Sequence, residues 1–161
     1  MPLKIAERLL QSYLNSFTYP AEGRLDVVIP AEKLVDTVAR LIEARWGYLG
    51  SITGLDIASP AGAEDEANDQ TAGHFECLYI FFSGAAVLVL RVPLAYDAAV
   101  VPSICGLIPA ATLYERELME MFGIEVEGTP VKDRLVLADD WPKGVYPLRK
   151  SFSGIADADQ R

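Results

Sequence analysis

Metal-ligating residues are scarce in this chain. Its 161 residues hold 2 cysteines, Cys77 and Cys105, and 1 histidine, His74. No CxxC pair occurs, so a ribbon-type zinc site or a four-thiolate iron–sulfur cluster lacks its ligands. Two cysteines also fall short of a secreted disulfide framework and point to a reducing compartment. Positive charge is short as well: 14 Lys and Arg against 23 Asp and Glu leave a net charge of −9. Phosphate backbones are bound by clustered cations, which argues against a nucleic-acid surface. No GKS or GKT follows GSITG at 50–54, so that stretch is not a phosphate loop. Long hydrophobic runs are missing too. The charge-free stretch 77–90 is shorter than the roughly 20 residues of a membrane helix and contains the turn signal Ser83-Gly84. Pro102, Gly106 and Pro109 interrupt the stretch 98–114. MPLKIAERLLQSYL has neither the apolar stretch nor the cleavage site of a signal peptide. A soluble protein is expected, anchored to a membrane, if at all, through another subunit.

What is present suits one globular domain: 51% hydrophobic and 23% charged residues. Ile5, Leu9, Leu10, Tyr13 and Leu14 have helical spacing, and so do Leu34, Val35, Val38, Leu41 and Ile42 ahead of Gly47. RLDVVIP and YLGSITGLDI read as strands. ASPAGAEDEANDQTAG reads as a loop, because acids, Pro, Gly and Ala dominate it without apolar period. Residues 74–82 and 85–93 form a hairpin pattern around Ser83-Gly84. Its first strand is apolar on both faces, with Leu78, Ile80 and Phe82 on one and Cys77, Tyr79 and Phe81 on the other, so both faces need cover. A short helix is expected near 103–107 and a longer one over 111–122, capped by Gly123. The fold class is α+β: a small mixed or antiparallel sheet with helices packed on it. A core domain, 1–123, precedes an extended C-terminal docking arm and tail, 124–161. The arm holds Trp141, Tyr146, Leu148 and Phe152 with little periodicity. Long irregular segments in compact domains are usually functional or disordered, and aromatic anchors favour docking.

YERELMEMFGIEVEGTP at 114–130 crowds Glu115, Glu117, Glu120 and Arg116 onto one helix. Catalysis would need a perturbed carboxylate in a cleft beside a second reactive group, and nothing nearby supplies one. A surface ion pair between Arg116 and Glu120 explains the charges more simply. Tyr114, Leu118, Met121 and Phe122 form an apolar stripe that needs a packing partner. His74 and Cys77 suggest a ligand pair by number alone. On a strand they point to opposite faces, so Cys77 reads as a small buried hydrophobe and His74 as a strand-end residue. The acids at 64–66 lack EF-hand spacing and read as a solvated loop. The residues alone therefore give a cofactor-free interaction module.

From Val101 on, the chain resembles a known family. VPS at 101–103, YERELMEMFGI at 114–124, EG at 127–128 with Pro130, DDW at 139–141 and PLRK at 147–150 follow one another in an order similar to that of the 30 kDa subunit family of respiratory complex I (NADH:quinone oxidoreductase). That family includes the equivalent small subunit of energy-converting, membrane-bound NiFe hydrogenases. RWGYLGSITGLD and the hairpin resemble its earlier strands. The resemblance implies a structural subunit of the peripheral electron-transfer arm, on the cytoplasmic side of the membrane. It implies no active site and no cofactor in this chain. A NiFe centre or iron–sulfur clusters would sit in partner subunits. The partners implied are a subunit related to the hydrogenase large subunit (49 kDa-like) and iron–sulfur subunits of the same complex.

The resemblance also implies residue roles. Glu115, Arg116, Glu117, Met121, Phe122 and Gly123 become interface and core residues of the signature helix. Asp140, Trp141, Pro147, Leu148, Arg149 and Lys150 lie on the docking arm. Arg149 is the expected anchor, through bidentate pairing with a partner's carboxylate, and Trp141 is expected to fill an interface pocket. This chain also departs from the family. Thr129 stands where quinone-reducing members have His. Lys132, Asp133 and Arg134 replace a Leu-Arg-Arg-like run, the span from Trp141 to Pro147 is long, and Ser151 replaces an acid. With the short length, these departures tilt the expectation towards a hydrogenase-type complex over an NADH-type one.

Overall fold

The computed structural model describes residues 2–59 and 73–155. The acidic loop expected around 64–66 lies outside the described residues. Helix α1 spans Pro2–Leu9, α2 Leu34–Glu43 and α3 Ala111–Phe122. Strands are β1 Phe17–Thr18, β2 Arg24–Val28, β3 Tyr48–Ile57, β4 His74–Ser83, β5 Ala86–Ala95, β6 Val100–Pro102 and β7 Glu125–Glu127. The fold is α+β, as expected. A five-stranded mixed sheet runs in the order β1-β2-β5-β4-β3, and β6 and β7 form a separate parallel pair. β4 and β5 are the predicted hairpin, joined by Gly84 and Ala85, with Gly84 at φ +60°. Positive φ at the first loop residue suits the twist of two-residue hairpin loops. β2 joins β5 in parallel, pairing Arg24 with Val87 and Val28 with Arg91.

Strand alternation sorts the sheet into two unlike faces. Phe75, Cys77, Tyr79 and Phe81 of β4 line up with Leu88, Leu90, Val92 and Leu94 of β5 and with Leu25 and Val27 of β2. All are buried, in one core with Ala6, Leu10, Leu34, Val38, Leu41, Leu118 and Phe122 of the helical layer. α3 lies against β3, where a Cβ on Gly54 would meet the Phe122 ring at 2.7 Å and Leu118 Cδ1 at 3.1 Å. The opposite face carries Leu78, Ile80 and Phe82 with Val87, Val89 and Arg91. Ile80, Phe82 and Val87 are only half-buried. At its centre Arg24 Nε is 2.6 Å from Asp26 Oδ1. Arg91 bridges Asp26, at 3.2 Å, to Glu76, and His74 Nε2 stands 3.4 Å from Glu76. Both faces of β4 are apolar, as expected, but the helices cover one of them.

Several boundaries differ from expectation. The helix expected through Leu14 gives way to a 3-10 turn at Gln11–Ser16, leaving Leu14 exposed. α2 ends at Glu43 rather than near Gly47, because Arg45 takes φ +51° and turns the chain so that Trp46 N–H reaches Leu41 O. No helix forms at 103–107; turns follow β6 instead, and the N–H groups of Ile104 and Cys105 are held by the side chains of Glu115 and Ser103. The boundary at 123 cuts through the body. Ile124 and Val126 are buried, and Val126 pairs with Val101 across β6–β7.

Candidate partner interface

α3 spans 111–122 as expected, and Gly123 closes it in the left-handed conformation at φ +67°. Its buried stripe contains Leu118, Met121 and Phe122, with Tyr114 half-buried and its hydroxyl donating to Gly50 O at 2.9 Å. Glu115 belongs to the same stripe and is fully buried. Its carboxylate accepts from Ser103 Oγ at 2.8 Å, Ile104 N–H at 2.8 Å and Cys105 Sγ at 3.1 Å. Buried polar groups persist when their bonds are made internally. Glu115 therefore locks the chain after β6 onto α3, as a core residue out of a partner's reach. Met121 and Phe122 are buried as well and are likewise withdrawn from direct contact. Gly123 lies beneath the arm, where a Cβ would stand 2.3 Å from Tyr146 Cζ.

The Arg116–Glu120 pair does not form. Arg116 Nε and Nη2 donate to the carbonyls of Asp133 and Arg134, at 2.8 and 2.6 Å. Glu120 accepts from the N–H groups of Leu135 and Val136, at 2.7 and 2.8 Å. Both side chains grip the arm, while Glu117 faces solvent. These glutamates therefore share no cleft, and the geometry of an acid–base pair is absent.

The arm folds back on its own body instead of extending. Arg149 Nε donates to Phe122 O at 2.6 Å, and its guanidinium stacks 5.0 Å from the Phe75 ring centre and 4.4 Å from that of Tyr146. Carbonyls exposed at a helix C-terminus attract cations, and the one at Phe122 is met by Arg149, the residue expected to anchor a partner's carboxylate. Trp141 is likewise turned inward, donating from Nε1 to Val145 O at 2.8 Å and lying 6.2 Å from the Phe152 ring. Lys150 N–H reaches Asp56, whose other oxygen accepts from Tyr96 at 2.5 Å. Burial first, and then this bond to Asp56, push the Tyr96 hydroxyl up to about 12. Pro147 is half-buried. Asp140, Leu148 and the Lys150 side chain remain exposed.

His74 and Cys77 stand on opposite faces of β4. His74 shares a face with Glu76, while Cys77 is buried on the other and pushed up to about 12, mainly by that burial. Among the described residues no three His, Cys, Asp or Glu side chains converge as metal ligands, and no helix is long and apolar enough to cross a membrane.

A family profile described as the 30 kDa subunit of respiratory-chain NADH dehydrogenase matches residues 27–158. The chain belongs to this family. A subunit of the NADH-quinone oxidoreductase from Roseiflexus sp. (strain RS-1) is 33% identical over 154 residues, covering 91% of this chain and 80% of that one. A membrane-bound hydrogenase subunit beta from Pyrococcus furiosus is 35% identical over 98 residues, covering 60% of this chain and 56% of that one. The formate hydrogenlyase subunit 5 of Escherichia coli is 30% identical over 135 residues, and the match covers 82% of this chain but only 22% of that one. Among solved structures, a chain of the membrane-bound sulfane sulfur reductase, an archaeal respiratory membrane complex, shares the fold with a TM-score of 0.74 at 23% identity, over 98% of this chain and 89% of that one. A trypsin-resistant fragment of Nqo5 does so with a TM-score of 0.60 at 23% identity, over 81% of this chain and 99% of the fragment.

Proposed function

We propose that this family member is a non-catalytic structural subunit of the peripheral arm of a membrane-bound, complex I-like oxidoreductase, on the cytoplasmic side. The observation that carries the reading is the family match across 27–158, on a chain whose signature helix uses its charges to hold its own loops. In this reading a partner related to the hydrogenase large subunit and neighbouring iron–sulfur subunits hold the NiFe centre or clusters that carry electrons. This chain supplies shape and contact surface. The family's departures in this sequence, Thr129 above all, favour the hydrogenase-type assembly. The Roseiflexus relative, matched over 91% of this chain, favours the NADH:quinone assembly as the second reading. Mild-detergent purification from native membranes, on a tag after Arg161, separates them. A hydrogenase large subunit with iron–sulfur partners supports the first, and flavin- and NADH-binding subunits support the second. A lone chain carrying stoichiometric iron or flavin would sink both.

A further inference from the structure

Arg149 is held by the chain's own body and Trp141 by its own arm, so the arm surface open to a partner is a different set of residues. Leu135, Val136 and Leu148 are exposed by 41%, 59% and 51%. Their backbones are fixed from beneath. Glu120 holds the N–H groups of Leu135 and Val136, and Met121 O holds that of Leu148 at 3.1 Å. Glu120 and Met121 are consecutive, so two separate stretches of the arm are pinned to one turn of α3. Side chains on an already ordered backbone lose less freedom on docking.

The charge of this surface runs against the rest of the protein. Residues 131–155 hold five cations and three carboxylates, a net of +2, whereas residues 1–130 hold 8 cations and 18 carboxylates, a net of −10. Arg116, Arg134 and Arg149 all donate to backbone carbonyls, and none lies within ion-pair distance of a carboxylate among the described residues. Lys132, Lys143 and Lys150 are exposed, and no carboxylate among the described residues lies within ion-pair distance of them.

We propose that this surface docks on an acidic face of a partner protein, with Leu135, Val136 and Leu148 against apolar ground and Lys132, Lys143 and Lys150 meeting Asp or Glu at the rim. This rests on the subunit reading above. Interfaces commonly join an apolar centre to a polar rim, and rim charges set orientation and association rate. A second copy of this chain would bring −9 against −9. An anionic membrane calls for about four to eight cations crowded together, whereas the five cations here are interleaved with Asp133, Asp139 and Asp140.

The test uses the complex purified from native membranes. A carbodiimide joins an amine to a carboxylate without a spacer, with loss of water, so it reports direct lysine–carboxylate contact. Mass spectrometry should find Lys132, Lys143 or Lys150 linked to Asp or Glu of a co-purified subunit. The triple variant K132E/K143E/K150E should lower partner recovery by about tenfold or more at moderate salt, with the melting temperature of the isolated chain unchanged. The milder K132Q/K143Q/K150Q should lower it less, which guards against misfolding in the reversed variant. An intact wild-type complex without such links, and full partner recovery by both variants, would overturn this inference and leave the subunit reading standing. Links only to another copy of this chain, or loss only of binding to phosphatidylserine vesicles, would also overturn it. Recovery of no oxidoreductase subunits with the wild-type chain would overturn the subunit reading itself.

Discussion

Replacing Glu115 should cost far more than its place among surface-type charges suggests. In Glu115→Ala the buried Ile104 N–H loses its acceptor at 2.8 Å. Such an orphaned donor costs about 1–3 kcal/mol. The bonds from Ser103 Oγ and Cys105 Sγ go too, at about 1 kcal/mol each. The sum is about 3–5 kcal/mol. At about 2–4 °C per kcal/mol for a domain of this size, the melting temperature should fall by roughly 6–20 °C. Glu115→Gln keeps one carbonyl oxygen and the volume, so it should cost about 1–2 kcal/mol, from the oxygen that becomes an amide nitrogen. The assay is urea unfolding of the isolated chain followed by circular dichroism, with the m-value as control. A loss below about 0.5 kcal/mol in Glu115→Ala, the range of ordinary surface substitutions, would refute the lock between α3 and the turn after β6.

Arg149→Ala should destabilise folding by about 2 kcal/mol, from the lost charged bond to Phe122 O and the ring stacking, and Arg149→Lys should not rescue it. This reverses the sequence-based expectation that assembly suffers more than folding; unchanged urea stability with impaired assembly would restore it. Gly123→Ala combines a left-handed φ, at about 1–2 kcal/mol, with a Cβ 2.3 Å from Tyr146, so trypsin should cut faster after Arg149 and Lys150; unaltered cleavage would contradict the fold-back. Tyr96 has its folded pKa raised from 10.0 to about 12, so its contribution is complete below about pH 10 and lost as pH rises through about 12. Tyr96→Phe should flatten that alkaline loss in denaturation curves, and an identical pH slope in both proteins would remove Tyr96 as its source.

How much was legible depended on how local the cause was. The hairpin, β3 and α3 with its glycine cap could be read because alternation, helical spacing and Gly123 act within a few residues. The β6–β7 pair could not, since strands of three residues carry no measurable period. The fold-back of the arm was hidden for another reason. It rests on arginines and a glutamate bonding to main-chain groups, and main-chain groups look alike in every sequence. For that reason Arg149 read as an anchor for a partner. Glu115 did leave a signal. With Ala111, Leu118 and Phe122 it falls at four- and three-residue steps along one helix stripe, so its burial was readable from spacing had charge not been taken to mean surface.

The parallel pairing of β2 with β5 has a consequence for synthesis. Arg24 must find Val87, 63 residues later in the chain. At about 5–20 residues per second, β2 waits roughly 3–13 s for its neighbour to leave the ribosome. During that time β2 has only the two-residue β1 beside it, Leu25 has no strand partner, and Asp26 lacks Arg91. Pairings this distant in sequence slow folding, so the hairpin of β4 and β5, which is local, should form first and template the N-terminal strand. A nascent chain stalled before residue 86 would expose β2 to chaperones or to aggregation, and one stalled beyond the hairpin would not.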